Sequence, residues 1–178
     1  MKVLVPLAEG CEEIEAVTVI DLLRRAGIQV VSAGLGKGPV VASRGVVLVP
    51  DTELDAALDQ AFDMLVLPGG AGTKHLREDG RILSLVKAMH EDGKWVAAIC
   101  AAPSVLARAG ILDGKRATAF PGSLEAEGHD NAGVPVLRED NIITSRGPGT
   151  AMDFALELVE RLAGREKRLE VETGLQRP

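Results

Sequence analysis

Cys100, one of two cysteines in the chain, occupies a position where a thiol does chemistry. It follows the apolar run Trp95–Ile99 and precedes a stretch of helix-forming residues. A nucleophile elbow needs such a sharp strand-to-helix turn with small residues two positions to either side, and Ala98 and Ala102 are small. Because a helix N-terminus favours the thiolate, we expect a thiol pKa below the free value of about 8.5. The alternative is a buried, inert cysteine.

A carboxyl group near this thiol would favour the catalytic interpretation. Glu15 lies at the start of a helix-period segment, just after the first apolar run, Lys2–Leu7. Burial raises the pKa of a carboxyl group, and a protonated Glu15 would donate a hydrogen bond to the sulfur. Helical spacing places Glu12 on the same face as Glu15. For Glu12 and Glu13 we favour the simpler role of negative charges at a helix N-terminus.

Two backbone features complete the predicted site. Pro68-Gly69-Gly70 follows an apolar run, and glycine lets a backbone N–H approach a reacting carbonyl closely. With the N–H of Ala101, this segment would form an oxyanion hole; the alternative is an ordinary turn. Cys11 is either a resolving cysteine for Cys100 or a small buried filler.

Metal and nucleotide cofactors are not expected. Two cysteines and three dispersed histidines offer no ligand pair at zinc spacing. No glycine-rich dinucleotide or phosphate loop opens a helix.

The predicted elements bring these residues to one place. Short apolar runs alternate with helix-period segments over residues 1–178, which indicates a single α/β domain with a doubly wound, mostly parallel sheet and helices on both faces. The carboxyl ends of such strands share one edge, where ligands bind. The predicted strands are Lys2–Leu7, Ile28–Ala33, Val40-Val41, Gly45–Val49, Asp63–Leu67, Trp95–Ile99, Arg116–Phe120, Pro135–Arg138 and Asn141–Ser145. The predicted helices are Glu13–Ala26, Glu53–Ala61, Asp79–Glu91, Pro103–Ala109, Gly149–Leu162 and Arg165–Glu172.

Composition excludes several classes of protein. The 178 residues carry a net charge of −6, with 46% hydrophobic and 2% aromatic residues and no tyrosine. The hydrophobic content supports a full core, and the acidic balance with few aromatics argues against nucleic-acid binding. No apolar run is long enough to cross a membrane, and the N-terminus has no signal-peptide pattern. We therefore expect a cytoplasmic protein.

Four motifs together resemble the ThiJ/PfpI superfamily, and in particular its bacterial-type members in the parkinsonism-associated deglycase branch. They are E-G-C-E-E-I-E-A, L-P-G-G, A-A-I-C-A-A-P and T-S-R-G-P-G-T, in this order along the chain. The resemblance implies a flavodoxin-like fold and a homodimer. It implies that Cys100 is an oxidation-sensitive nucleophile, that protonated Glu15 bonds its sulfur, and that Gly70 and Ala101 supply backbone donors. It places Arg44, Arg146 and Pro148 near the site mouth or the dimer interface.

The resemblance implies a cofactor-free activity on small α-oxoaldehydes, or on their early adducts with proteins or nucleotides, that protects against carbonyl and oxidative stress. A different class of function is also open, a redox sensor or holdase chaperone that works through oxidation of Cys100. Peptidase activity is not expected, because Ala101 stands where the peptidase branch carries histidine, and glutaminase activity is not expected, because no histidine begins an H-x-E motif. Phe120 stands where some other members of the family carry a histidine near the cysteine. His129 is either an auxiliary base or a solvated loop residue.

Overall fold

A seven-stranded sheet forms the centre of the protein, whose computed structural model describes residues 1–177. The strands are β1 Lys2–Leu7, β2 Gln29–Gly34, β3 Val40–Val41, β4 Val47–Leu48, β5 Thr52–Glu53, β6 Met64–Leu67, β7 Trp95–Ile99, β8 Val136–Glu139 and β9 Ile142–Ser145. The order in the sheet is β5-β2-β1-β6-β7-β9-β8, and all neighbours are parallel except β8 and β9. The remaining strands, β3 and β4, form a separate antiparallel hairpin.

Helices cover both faces of the sheet. They are α1 Glu13–Arg25, α2 Leu54–Leu58, α3 Thr73–Glu78, α4 Gly80–Glu91, α5 Pro103–Arg108 and α6 Ala151–Gly174. One hydrophobic cluster joins α1 and α6 to the sheet, and a second joins α2, α3, α4 and α5 to the other face. Because both faces are buried, the central strands are continuous apolar runs. The predicted doubly wound, flavodoxin-like α/β fold is confirmed.

Strand register brings the predicted site residues to one edge. Ile99 pairs with Ser145 across β7 and β9, and Leu67 pairs with Ala98 across β6 and β7. The bounds of β1 and β7 are those predicted, and the hairpin of β8 with β9 is confirmed. The tail beyond Gly164 is helical as predicted, although α6 is interrupted at that glycine, whose φ is 87°. The sequence analysis missed β5 and α3.

The predicted strand at Arg116–Phe120 is wrong. Its backbone N–H groups bond outside the sheet: Thr118 donates to Oγ1 of Thr144 at 3.0 Å, and Ala119 donates to Oδ1 of Asn131 at 3.1 Å. The strand on the outer side of β9 is β8, and the segment pairs with neither strand. Its polar groups are satisfied by these side chains and by the backbone carbonyl of Cys100, which accepts from the N–H of Phe120 at 2.8 Å.

Helical spacing of the apolar residues predicts that Ile14 and Val17 lie on the inner face of α1 and Met152 on the inner face of α6, and both predictions are wrong in part. Ile14 and Val17 are 55% and 47% exposed, whereas Glu13, Glu15, Ala16, Val19, Leu22 and Leu23 are buried. The true inner stripe has helical spacing but includes two glutamates, which a hydrophobicity pattern does not select. On α6, Met152 was also expected inside and is 45% exposed.

Candidate active site

Cys100 forms the predicted elbow between β7 and α5. Its φ of 63° is in the left-handed region, where residues other than glycine are uncommon. Hydrogen bonds hold this conformation: the N–H of Cys100 donates to the Ser145 carbonyl at 2.9 Å, and its carbonyl accepts from the N–H of Phe120 at 2.8 Å. The side chain is buried, with 8% of the residue exposed. Strain maintained by neighbouring bonds in this way is typical of functional positions.

Glu15 lies beside Cys100 and has no exposed surface. Its Oε2 accepts a hydrogen bond from the N–H of Gly69 at 2.7 Å, and its buried Oε1 makes no well-formed hydrogen bond. A Cβ placed on Gly69 would lie 2.7 Å from Cβ of Cys100 and 2.9 Å from Oε2 of Glu15. Cβ of Cys100 and Oε2 of Glu15 therefore both lie within 3 Å of the position that a Cβ of residue 69 would occupy, and only glycine fits at that residue.

Burial sets the pKa of the carboxyl group. Desolvation raises the pKa of Glu15 from 4.5 to about 7, against the lowering effect of hydrogen bonds with Gly69 and Cys100; the charge of Glu12 adds a smaller upward contribution. The proton of Glu15 is thus exchangeable near neutral pH, which suits a general acid or base.

The pKa of the Cys100 thiol is raised to about 12, so the expected lowering is wrong. Desolvation is the largest cause and the negative charge of Glu15 the second, and together they outweigh backbone hydrogen bonds from Gly70 and Ala101. The helix contributes little because α5 begins only at Pro103 and has six residues. At neutral pH the thiol therefore keeps its proton, and Glu15 is the nearby group able to take it.

Backbone hydrogen bonds from Gly70 and Ala101 act to lower the pKa of the Cys100 thiol, and their role as oxyanion donors stays a prediction. Gly70 has a φ of 85°, and a Cβ there would lie 2.5 Å from the backbone nitrogen of Glu12. A larger residue would therefore displace the loop after β1. The same donors would serve an oxyanion formed on a carbon bonded to that sulfur.

A cavity of about 370 Å³ opens over the thiol. The predicted residues Cys100, Gly70, Ala101, Arg44 and Pro148 line it, together with Glu12, Ser43, Ala71 and Phe120. Arg146 does not line the cavity, and its guanidinium group donates to the Gly133 carbonyl at 3.2 Å. Arg146 is predicted at the site mouth or the dimer interface; the cavity lining does not include it, and the dimer interface stays a prediction for this residue.

Glu12 and Glu13 place negative charge at the N-terminus of α1 and also accept hydrogen bonds from a neighbouring turn. The Ser43 hydroxyl lies 2.6 Å from Oε2 of Glu12 and 2.9 Å from Oε2 of Glu13, and the N–H of Arg44 donates to Oε1 of Glu13 at 2.8 Å. Desolvation opposes the change, but hydrogen bonds from the backbone of Glu13, from Ser43 and from Arg44 lower the pKa of Glu13. These contacts fix the turn that carries Arg44 to the cavity. Because residues 12 and 43 are far apart in sequence, their pairing gives no local signal.

Cys11 and His129 stand outside the cavity. Cys11 is a free thiol in the core with 1% exposure, and burial raises its pKa to about 11. Nε2 of His129 lies 3.9 Å from a carboxylate oxygen of Asp113. The cavity lining contains no histidine.

Residues 1–177 contain neither a metal-binding cluster of side chains nor a membrane-spanning helix. Within that range, no group of three or more histidine, cysteine or acidic residues is arranged to hold a metal ion. Within the same range, no helix has both the length and the apolar character needed to cross a bilayer.

A doubly wound α/β fold with a cysteine in an elbow and a buried glutamate beside it defines a class of cysteine-centred α/β proteins. The chain belongs to the DJ-1/PfpI family, whose model matches residues 1–161. It is 45% identical to dj-1beta of Drosophila melanogaster over 178 residues, covering 97% of this chain and 95% of that protein. The crystal structure of Drosophila DJ-1beta superposes with a TM-score of 0.93 at 44% identity, covering 98% of this chain and 96% of that one.

A Caenorhabditis elegans relative carries a functional name, glutathione-independent glyoxalase DJR-1.2. It is 39% identical over 162 residues, covering 89% of this chain and 87% of that protein. This name supports an enzymatic, glyoxalase-type role within the family.

Proposed function

We propose that this protein is a cofactor-free cysteine enzyme that converts α-oxoaldehydes to 2-hydroxy acids, or releases early glycation adducts by the same chemistry. The observation that carries the proposal is the pairing of the Cys100 thiol with a buried carboxyl group whose pKa is raised to about 7. A general base poised near neutral pH next to a nucleophile is what this reaction requires. The glyoxalase named in Caenorhabditis elegans supports the substrate class.

The first step is addition of sulfur to the aldehyde carbon. The Glu15 carboxylate takes the thiol proton as the carbon–sulfur bond forms, so the high pKa of free Cys100 is no obstacle. The N–H groups of Gly70 and Ala101 then stabilise the oxyanion. Transfer of the proton from Glu15 to that oxygen gives a neutral hemithioacetal and regenerates the carboxylate.

Glu15 next moves a proton between two carbons. It removes the proton from the carbon bonded to sulfur, giving an enediolate whose negative charge lies on the former ketone oxygen. Glu15 returns this proton to the neighbouring carbon, and the hydroxyl proton of the sulfur-bonded carbon moves to the former ketone oxygen. The product is a thioester of a 2-hydroxy acid, and water hydrolyses it to the free acid and the Cys100 thiol. The net reaction adds one water to the oxoaldehyde, with internal oxidation of one carbon and reduction of the other, so no external oxidant is needed. With a glycation adduct, sulfur displaces the amine, which leaves with the thiol proton.

The absence of histidine from the cavity lining argues against peptidase and glutaminase activity. An amide leaving group needs a strong general acid at the nitrogen. Glu15 is fully buried and already bonded to Gly69 through one oxygen. Transfer of a proton at carbon, next to the sulfur, suits that position better.

A second candidate function is redox sensing, with chaperone activity as its output. The observation that favours it is the unequal burial of the two thiols: Cys100 reaches the cavity, whereas Cys11 has 1% exposure. Peroxide in the cavity would oxidise Cys100 to a sulfinate, and a protonated Glu15 would donate a hydrogen bond to it. In this role turnover of aldehydes would be incidental.

We further propose that the protein works in the cytoplasm as a homodimer that protects against carbonyl and oxidative stress. Ile14 and Val17 form an exposed apolar stripe on α1, and Val46, Val47 and Val49 are exposed on and around the adjoining strand β4. The bonds of Ser43 and Arg44 to Glu12 and Glu13 join these two surfaces. A second copy of the chain is the occupant that suits such a patch.

The test is the steady-state loss of methylglyoxal, with a glycated peptide as the second substrate. Wild-type protein is compared with Cys100→Ser and with Cys11→Ser, which removes the other thiol. We expect Cys100→Ser to fall to the background rate and Cys11→Ser to stay close to wild type. Equal activity of wild type and Cys100→Ser would refute the enzymatic proposal, and sulfinate formation at Cys100 in the same preparation would then favour redox sensing.

A further inference from the structure

Phe120 is an aromatic residue that is exposed to solvent in the folded protein. The chain has three phenylalanines. Phe62 and Phe154 are buried, with 8% and 0% exposure, whereas Phe120 is 51% exposed. It lines the cavity over Cys100. A large apolar ring at the mouth of a polar reaction site therefore needs an explanation beyond packing.

The backbone holds Phe120 in a fixed position. Its N–H donates to the carbonyl of Cys100 at 2.8 Å, and its carbonyl accepts from Ser123 at 3.0 Å. The preceding residue, Ala119, exchanges two hydrogen bonds with the Asn131 side chain, each of 3.1 Å. On one side, Cδ2 of the ring lies 3.5 Å from the point that a Cβ on Gly147 would occupy. The backbone of Phe120 is thus hydrogen-bonded directly to the nucleophilic residue, which fixes the point from which the ring extends.

The cavity lining changes from polar to apolar along the sheet. Glu12 follows β1, and Ser43 and Arg44 are bonded to that end of α1. Cys100 follows β7, and Pro148 follows β9, which is the next strand in the order. The apolar residues Ala101, Phe120 and Pro148 therefore lie beyond the nucleophile, on the side away from the charged groups.

We propose that Phe120 is a specificity-determining residue that selects α-oxoaldehydes with an apolar, especially aromatic, substituent on the ketone carbon. This inference rests on the proposed function and narrows its substrate class. When Cys100 bonds the aldehyde carbon, the carbonyl oxygens face the backbone donors. The substituent extends into the cavity, where the ring of Phe120 and the Pro148 ring provide an apolar wall. Aromatic groups pack well against one another in offset or edge-to-face geometry.

The test compares kcat/KM for phenylglyoxal and methylglyoxal. The variants are Phe120→Ala, the conservative Phe120→Leu, and Leu169→Ala as a matched control, because Leu169 is also 51% exposed but lies on the tail of α6. We expect Phe120→Ala to lose about tenfold in kcat/KM for phenylglyoxal and less than about twofold for methylglyoxal. Phe120→Leu should lie between, and Leu169→Ala should match wild type. Equal losses for both substrates, or no loss, would overturn the proposal.

A second measurement does not depend on turnover. Cys100 is alkylated with iodoacetamide and with N-benzyl iodoacetamide, and the ratio of the two rates is read by peptide mass spectrometry. We expect the preference for the benzyl reagent to fall several-fold in Phe120→Ala and not in Leu169→Ala. If wild type turns over neither aldehyde but this ratio still falls, the enzymatic proposal fails and the apolar selectivity of Phe120 stands. An unchanged ratio would contradict that selectivity.

Discussion

The N–H of Gly69 donates to Oε2 of Glu15 at 2.7 Å and so ties the first helix to the loop after β6. The bond leaves Oε1 of Glu15 without a well-formed partner beside the Cys100 thiol. One oxygen of the carboxyl group is thus anchored, and under the proposed function the group is held beside the thiol for proton transfer. Burial disfavours the charged form of this carboxyl group and so raises its pKa.

The raised pKa of Glu15 predicts a defined pH dependence of stability. The folded-state value of about 7 exceeds the ordinary value of 4.5, so the folded protein binds this proton more tightly than the unfolded chain does. Stability from this group is fully present below about pH 4.5 and is lost as pH rises through about 7. The difference corresponds to roughly 3 kcal/mol.

Urea unfolding of wild type and Glu15→Gln across this range measures the effect. Glutamine keeps an oxygen for Gly69 but does not titrate, so the variant should gain stability relative to wild type as pH rises. A constant difference between the two proteins would show that Glu15 has an ordinary pKa.

Replacement of Gly70 tests whether activity requires the loop after β6 to approach the start of α1 so closely. Gly70→Ala places a Cβ 2.5 Å from the backbone nitrogen of Glu12, whereas Gly114→Ala meets nothing within 4 Å at a φ of 71°. Both variants carry the left-handed strain of roughly 1 kcal/mol. We expect only Gly70→Ala to lose most of the methylglyoxal activity, at about tenfold or more. Equal kcat/KM values for the two variants would mean that the loop position is not needed.

Local sequence signals sufficed for the elbow and the sheet. The small residues around Cys100 and the apolar run before it specify a strand and a turn, and parallel strands bring their carboxyl ends together. The same logic predicts from the sequence that Cys100, Glu15 and Gly70 lie at one edge of the sheet. The strand at Arg116–Phe120 was mispredicted because its hydrogen-bond partners, Thr144 and Asn131, are distant in sequence.

Two properties of the site were not readable from local pattern. The inner face of α1 includes buried glutamates, so hydrophobicity pointed to the wrong residues, Ile14 and Val17. The thiol pKa depends on how much water reaches Cys100 and on the charge of Glu15, both of which are tertiary properties. The elbow motif alone predicts a lowered pKa for the Cys100 thiol, whereas this pKa is raised.

The exposed stripe on α1 predicts the oligomeric state. Val17→Asp introduces a charge into the proposed homodimer interface and should shift the protein to monomer in light scattering coupled to gel filtration. Leu169→Asp, an equally drastic change at a similarly exposed residue of α6, should leave the dimer intact. A monomeric wild type would refute the dimer, as would a Val17→Asp protein that stays dimeric.

Mild peroxide should modify Cys100 before Cys11 or the methionines. Cys100 opens to the cavity, and a protonated Glu15 can donate to the sulfinate oxygens. Glu15→Asp withdraws the carboxyl group by one methylene and should lower the yield of sulfinate. Intact mass and peptide mapping measure both effects. A disulfide between Cys11 and Cys100 as the first product would contradict this prediction and make Cys11 a resolving cysteine.

The pH profile of kcat/KM for methylglyoxal, measured for wild type and Glu15→Gln from about pH 6 to about pH 8, tests the central claim most directly. If Glu15 relays the proton, wild-type kcat/KM rises with pH and levels off above about 7, where the carboxylate predominates. Glu15→Gln, verified by circular dichroism and thermal melting to be folded, should be about 100-fold or more slower, with no inflection. Turnover by Glu15→Gln within a few-fold of wild type, with the same inflection, would contradict the role of Glu15 as the acid–base partner of Cys100.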